Sequence, residues 1–457
     1  MLKRWSAKNG YRESLSIGMP LVISMMSSTV MTFTDRIFLG NYSLETLGAS
    51  LPASITAFLF LSLFFGTAEY IGVFVSQYTG ACRHERVGAA LWQGLWFCVP
   101  SGLFLASLWF VAEPLFALGG HPPEIQELEV VYFRILTLGG GPFLVGICLS
   151  SFYSGRGLTK PVMLVNMAAT VINIPLNYCM IFGIGPFPEL GIVGAGIATV
   201  CSYTLPAICY AFLIFTPENE ACYKVRSSMR IMPDLMKRFL WFGLPGGIQF
   251  FLEIFGITFF AFMVGRLGSV ELAASNVALS IDTLAFLPTV GLHIAVSIMV
   301  GQAMGASKPE DVVYATKSVL HLSLAYMISM AVVFVTLPGP LMELFRTRAE
   351  AGVDFGPVVE MGSVLLRYVA CFTVIDAVSL IYVGALKGAG DTRFTMATMG
   401  IASMGCLVFP TWLLNHIGST SVHALWICLV AYVAVLAVAF IIRFRSGKWR
   451  SIKVIEF

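Results

Sequence analysis

Five carboxylates of this 457-residue chain, Asp35, Glu69, Glu253, Asp282 and Asp376, stand inside long apolar stretches. An acidic side chain at the centre of a membrane helix costs about 2.5–3.5 kcal/mol on insertion scales, and residues kept there mark ion or solute pathways. The spacing places no lysine or arginine mid-span to neutralise them. Arg134 and Arg367 fall near segment ends, where long side chains reach the interface. The balance inside the apolar segments is therefore negative. A negative, partly dry cavity suits a cation, a proton or a cationic solute.

Glu253 lies eight residues after Pro245, with Gln249 one helical turn earlier on the same face. Asp376 is deep in its segment with Ser379 one turn on. Asp35 has an alternative as a surface pair with the adjacent Arg36. Glu69 and Asp282 read either as acids hydrogen-bonded inside a bundle or as parts of a cavity wall. His293 and His321 read as packed, hydrogen-bonded side chains. Asn173 and Asn177 share one helix face at i, i+4. They either hydrogen-bond across the bundle or coordinate through their carbonyl oxygens.

Composition sets what can hold these residues. Hydrophobic types make up 57% of the chain and charged types only 12%; soluble domains carry about 25% charged residues. With a net charge of +3 and no dominant basic run, the sequence excludes an ordinary soluble enzyme and a nucleic-acid binder. The ten cysteines show no CxxC and no histidine pair nearby, so neither disulfides nor a zinc site are expected.

A spanning helix needs about 20 mostly apolar residues. Twelve such segments occur, at 14–39, 48–78, 88–112, 131–154, 161–184, 191–215, 239–265, 272–304, 316–338, 361–386, 394–415 and 423–443. The expected fold is an all-α polytopic membrane protein of twelve transmembrane helices in two six-helix bundles. With the N-terminus inside, 22 of the 28 Lys and Arg residues fall on the cytoplasmic side, as the positive-inside rule requires. Arg36, Arg134, Arg266, Arg346, Arg348 and Arg367 remain outside. Both termini are expected in the cytoplasm, of a bacterial inner (plasma) membrane.

The two halves repeat. At an offset of 225, Gly18, Pro20, Gly40, Leu47, Gly66, Gln77 and Gly80 fall on Gly243, Pro245, Gly265, Leu272, Gly291, Gln302 and Gly305. At an offset of 233, Arg134 falls on Arg367 and GRGLTK at 155–160 on GAGDTR at 388–393. The added residues belong in an outer loop near 338–360. Six helices per half give a parallel repeat about an axis along the membrane normal. The domains read as 1–215, an N-terminal lobe; 216–238, a cytoplasmic linker; and 239–457, a C-terminal lobe. Pro20 and Pro245 can kink their helices. Gly155, Gly157, Gly388 and Gly390 read as tight inner turns and not as a phosphate loop, since GxxxxGK[ST] is absent. The acids are not duplicated: Asp35 aligns with Phe260, Glu253 with Ser28 and Asp376 with Phe143.

The motifs GMP at 18–20, QYTG at 77–80, GRGLTKPVM at 155–163, NIPLNY at 173–178, PELGIVGAGIAT at 188–199, GQAMGA at 301–306 and LKGAGDTR at 386–393, with Asp35, resemble the MATE (multidrug and toxic compound extrusion) family, most of all its NorM-like branch. The resemblance covers essentially the whole chain. It implies two lobes opening alternately, export of cationic or amphipathic drugs, and exchange for Na⁺ or H⁺. By the match, Glu253 and Asp376 form the cation site of the second lobe, with Na⁺ the one metal implied there, and Asp35 is the acid of the first. The DinF-like branch pairs that acid with an aspartate on helix 5, where Asn177 stands here. Phe372 stands one turn before Asp376, where a tyrosine hydroxyl is expected.

The expected function is thus a secondary antiporter with membrane lipid and a small cationic solute as its partners, without an enzyme's chemistry, a bound cofactor, a nucleic-acid partner or an obligate protein partner. The competing readings are a lipid-linked saccharide flippase, an exporter of one metabolite and a membrane-embedded enzyme. The first lacks mid-span bases for pyrophosphate, and the last lacks a His/Ser/Asp or HExxH constellation.

Overall fold

The computed structural model describes residues 2–346, 355–417 and 421–456. Part of the outer loop expected near 338–360, Arg348 included, lies outside the described residues. Twelve helices are long and apolar enough to cross a membrane: α1 Tyr11–Tyr42, α2 Leu44–Gly80, α3 Glu85–Ala117, α4 Pro123–Ser154, α5 Thr159–Phe182, α6 Ile192–Ile214, α7 Pro233–Gly265, α8 Ser269–Gly305, α9 Pro309–Thr336, α10 Gly356–Ala389, α11 Thr392–Ile417 and α12 Val422–Arg445. No strand occurs among the described residues. Most helices outrun the apolar segments because polar caps extend them. Ser43 accepts from the Thr46 N–H at 3.1 Å and Ser421 from the Ala424 N–H at 3.3 Å, supplying orphan donors of the first turn. Proline opens α4, α9 and α10, where its missing N–H costs nothing.

Three of these spans are interrupted, α3 by a 3-10 turn at Leu108–Val111. In α2 the ladder breaks at Tyr70, directly after Glu69. In α11 a π-turn covers Ser403–Val408, just before Pro410, whose ring already removes a backbone donor.

The chain forms two compact units. The first comprises Pro20–Phe251, Gly305–Ser307 and Val454–Phe457; the second comprises Met1–Met19, Leu252–Met304 and Lys308–Lys453. In the first, α4 is central and packs against α6, α2 and α3. In the second, its repeat mate α10 packs against α9 and α12. The linker is strapped onto α3: the Trp92 indole donates to the Val225 carbonyl at 2.6 Å, and Gln93 bonds Arg230 O and Met232 N, each at 3.1 Å.

The repeat seen in the sequence recurs as matched contacts within each unit. Gly157 and Gly390 both adopt left-handed backbone, with φ of 79° and 96°, which a Cβ disfavours. A Cβ on Gly155 would lie 2.7 Å from Gly72 O, and one on Gly388 would run into Ser297 O. Residues 72 and 297 are themselves 225 apart, so the same close crossing is built twice. Gly155→Val and Gly388→Val are each expected to destabilise by about 1–3 kcal/mol, the usual cost of overpacking. Thermal unfolding in detergent checks this. Gly48→Ala, with nothing within 4 Å of the added carbon, should leave the midpoint unchanged or raise it.

Candidate functional site

Each unit carries its own acidic site. In the first, Asp35 on α1 is buried, 8% exposed, while Arg36 beside it is exposed. The surface pair weighed for these two residues is not formed. Asn177 on α5 donates its amide N–H to Asp35 Oδ1 in a short hydrogen bond. Asn173, one turn earlier, donates to Ala198 O on α6 at 3.1 Å. The carbonyl oxygens of both asparagines are buried without a partner. The open alternatives for this pair thus divide by atom: the amide nitrogens bond across the bundle, and the oxygens are left free. Tyr132 on α4 and Tyr203 on α6 both lie within range of the Asp35 charge.

The second unit holds the larger cluster. Glu253 on α7, Asp282 on α8 and Asp376 on α10 are all half-buried. Asp376 feels the repulsion of both Glu253 and Asp282. None of the three accepts a hydrogen bond from a described residue, and Asp282 Oδ1 is buried with no partner. Among the described residues, no three His, Cys, Asp or Glu side chains converge tightly enough to hold a metal ion. The carboxylates therefore act on one another through their charges and do not form a closed ligand shell.

Two members of this cluster escape a reading of the sequence. Tyr432 on α12 lies within range of Glu253 and Asp376. Its hydroxyl donates to Met399 Sδ at 2.9 Å, which leaves the oxygen lone pairs free to accept. At residue 372, Phe372 packs near Trp426, ring centroids 6.3 Å apart. Lys387 on α10 also acts on Glu253, and on His293 of α8. No lysine or arginine is expected mid-span, and Lys387 acts on Glu253 from the end of its helix. Lys387 sits at the inner end of α10, but its side chain is long and half-buried, and α10 is drawn against α8 by Gly384 and Gly388.

The remaining candidates are placed as follows. Gln249 belongs to the first unit, 1% exposed, with Oε1 buried and unpartnered. Glu69 lies in the first unit at the break in α2, away from Asp35's hydrogen-bonded partners. Pro20 and Pro245 are buried within continuous helices. His293 donates from Nδ1 to Leu380 O at 2.7 Å. His321 is exposed, not packed as expected, because it lies on an outer face of α9; the Tyr11 hydroxyl is 2.9 Å from its Nδ1.

The MatE family model matches residues 20–179 and 245–413, one match in each half of the chain. The chain belongs to the MATE family. Its members are membrane transporters and not enzymes. Three solved structures share its fold throughout. A transporter described as the outward-facing conformation of a multidrug resistance MATE family protein of the MOP superfamily is 19% identical with a TM-score of 0.87, covering 97% of each chain. A eukaryotic MATE transporter is 19% identical with a TM-score of 0.84 over 96% of each chain. A MOP superfamily transporter from Pyrococcus furiosus is 18% identical with a TM-score of 0.85 over 97% of each chain. This MATE protein is accordingly an all-α, multi-pass membrane protein built to carry small molecules.

Proposed function

We propose that the protein is a secondary antiporter that exports cationic, amphipathic solutes in exchange for inward Na⁺ or H⁺. The observation that carries this reading is the trio Glu253, Asp282 and Asp376: Asp376 lies within range of the charges of the other two, none of the three accepts a hydrogen bond from a described residue, and Tyr432 lies within range of Glu253 and Asp376. Two like charges forced together in a poorly solvated site gain by taking up a cation or a proton. Either one lowers the negative charge that attracts a cationic solute, so ion and solute compete for the same field. Lys387 sets a limit on that field by offsetting part of the Glu253 charge.

The polarity argues against an anionic cargo. The relative from Pyrococcus furiosus is described as having a binding pocket of reversed polarity, suggesting a different function. Among the described residues, the acids Glu253, Asp282 and Asp376 outnumber the cation that acts on them, Lys387. The excess of 22 inner over 6 outer basic residues supports cytoplasmic termini and insertion in a bacterial plasma membrane.

One charge crossing 100 mV is worth about 2.3 kcal/mol, which sustains roughly a forty-fold gradient of a neutral solute. Exchange for a monovalent cation moves no net charge, and then only the ion's chemical gradient drives export.

The test is dye transport in proteoliposomes under an imposed Na⁺ or pH gradient. A cationic dye should move against the gradient of one of these ions. Absence of dye movement under both gradients, with folded protein, would end the multidrug reading. Tyr432→Phe removes one neutral hydrogen-bonding oxygen, worth about 0.5–1.5 kcal/mol. It should raise the half-saturating ion concentration roughly three- to tenfold while transport at saturation persists.

A further inference from the structure

The repeat places one arginine at matching points of the two halves, and the structure treats the two differently. Arg134 on α4 is fully engaged: it bonds Glu113 at 2.8 Å and Trp109 O at 3.1 Å and stacks on the Trp109 ring. Its mate Arg367 on α10 is exposed and makes no hydrogen bond, ion pair or ring contact with a described residue. The nearest acid of the corresponding outer helix, Glu343, is taken by Arg346 at 3.2 Å.

Arg367 heads a cavity of about 450 Å³ between α10 and α12, lined by Val364, Tyr368, Cys371, Ile427 and Val430. Apart from the guanidinium and the Tyr368 hydroxyl, that lining carries no charged or hydroxyl group. Beside it, the His423 ring lies 5.9 Å from the Tyr368 ring, and His423 Nδ1 is buried without a partner.

The groove faces away from the acids. Nine residues separate Arg367 from Asp376, and at 3.6 residues per turn that is two and a half turns, hence the opposite side of α10. Its depth is also defined. Twenty residues separate Arg367 from Lys387, about 30 Å along a helix, which matches the hydrocarbon thickness of a bilayer. With Lys387 at one interface, Arg367 stands at the other, and Cys371 lies one turn deeper.

We propose that this groove is a phospholipid site, taking an acyl chain between α10 and α12 and the lipid phosphate on Arg367, with preference for an anionic headgroup. A guanidinium without a partner among the described residues, at headgroup level above an apolar groove, matches the order of groups in a phospholipid. The same guanidinium repels the cationic solutes assigned to the acidic cluster, so the groove is not a second entry for them. Phosphatidylglycerol binds more firmly than phosphatidylcholine because it carries no ammonium group to compete for the phosphate. Glu360 is on the same face, seven residues and about 10.5 Å farther out, where water and salt screen it. This inference does not rest on the antiport reading.

The test uses the full chain in detergent, with phosphatidylglycerol, phosphatidylcholine of the same chains, and soluble glycerol 3-phosphate as probes. Native mass spectrometry gives affinities. Alkylation of Cys371 by a small maleimide, resolved by peptide mapping, reports occupancy of the groove. Phosphatidylglycerol should bind more tightly than phosphatidylcholine and slow alkylation. Arg367→Gln should weaken phosphatidylglycerol about tenfold, roughly 1.4 kcal/mol, and phosphatidylcholine by less. Arg367→Lys should retain most of the preference, which separates loss of charge from loss of fold. Ile427→Trp, filling the groove, should weaken both lipids. Equal affinity for phosphatidylglycerol in Arg367→Gln, or unaltered Cys371 alkylation with lipid, would overturn the proposal. Protection by glycerol 3-phosphate alone would do so as well, by reducing the site to a phosphate contact.

Discussion

Glu253→Gln and Asp376→Asn should each abolish ion-driven dye export while leaving a folded, reconstitutable protein. The two changes keep the volume of the side chain and remove only its charge. Their effects should still differ. Asp376 is the acid that feels both Glu253 and Asp282. Neutralising it relieves two repulsions at once and should raise thermal stability. Glu253 is the acid whose charge Lys387 offsets, so its neutralisation removes an attraction and should lower stability. Transport separates from stability in this pair, which a purely structural role for the acids would not produce. The check is dye efflux under each gradient, with an unfolding scan on the same preparations. Both variants should fall at least about tenfold in cation-dependent rate, equivalent to about 1.4 kcal/mol of lost coupling. If either variant keeps wild-type coupling, that acid is not part of the ion site.

The second large effect is expected at the inner end of α10. Arg443 of α12 grips Asp391 with two hydrogen bonds of 2.6 and 3.1 Å and lies over the Phe394 ring. Asp391 is only 4% exposed. Removing one partner of such a pair leaves a buried charge uncompensated, at a cost of about 3–5 kcal/mol. Arg443→Leu should therefore unfold at markedly lower temperature or lower denaturant concentration. The double variant Asp391→Leu with Arg443→Leu should recover most of that loss, because the desolvated charge is gone. Additive losses in the double variant would mean that the two residues act separately. In the first half Leu158 occupies the place of Asp391, and Arg156 is held instead by stacking on Phe152 and Tyr223. The two turns share their backbone and differ in what anchors them.

Much of this molecule is legible in the sequence, for reasons that particular residues make plain. The twelve helices announce themselves because a membrane demands long apolar runs with every backbone group paired. The acids announce themselves because Glu253 and Asp376 are out of place in such runs. The matched glycines carry the repeat because a close helix crossing tolerates little else, as Gly155 against Gly72 and Gly388 against Ser297 show. What escapes is contact between distant parts of the chain. Tyr432 follows Asp376 by 56 residues, and no spacing rule brings its hydroxyl to the acids. Lys387 looks like an ordinary inner-face cation until the packing of α10 on α8 brings it within electrostatic range of Glu253 and His293. Asp282 gains its place beside Asp376 only through that same packing. The division of the chain at Pro20 and Leu252, within continuous helices, has no composition signal either.

The central claim is exchange, and it is tested most directly by running the process in reverse. Proteoliposomes are loaded with a cationic substrate and diluted into substrate-free buffer, with external ²²Na⁺ or an internal pH dye as the readout. Substrate leaving down its own gradient should draw Na⁺ or H⁺ inward, and Asp376→Asn should uncouple the two flows. Movement of the ion outward with the substrate, or substrate flux with no ion movement at all, would contradict antiport.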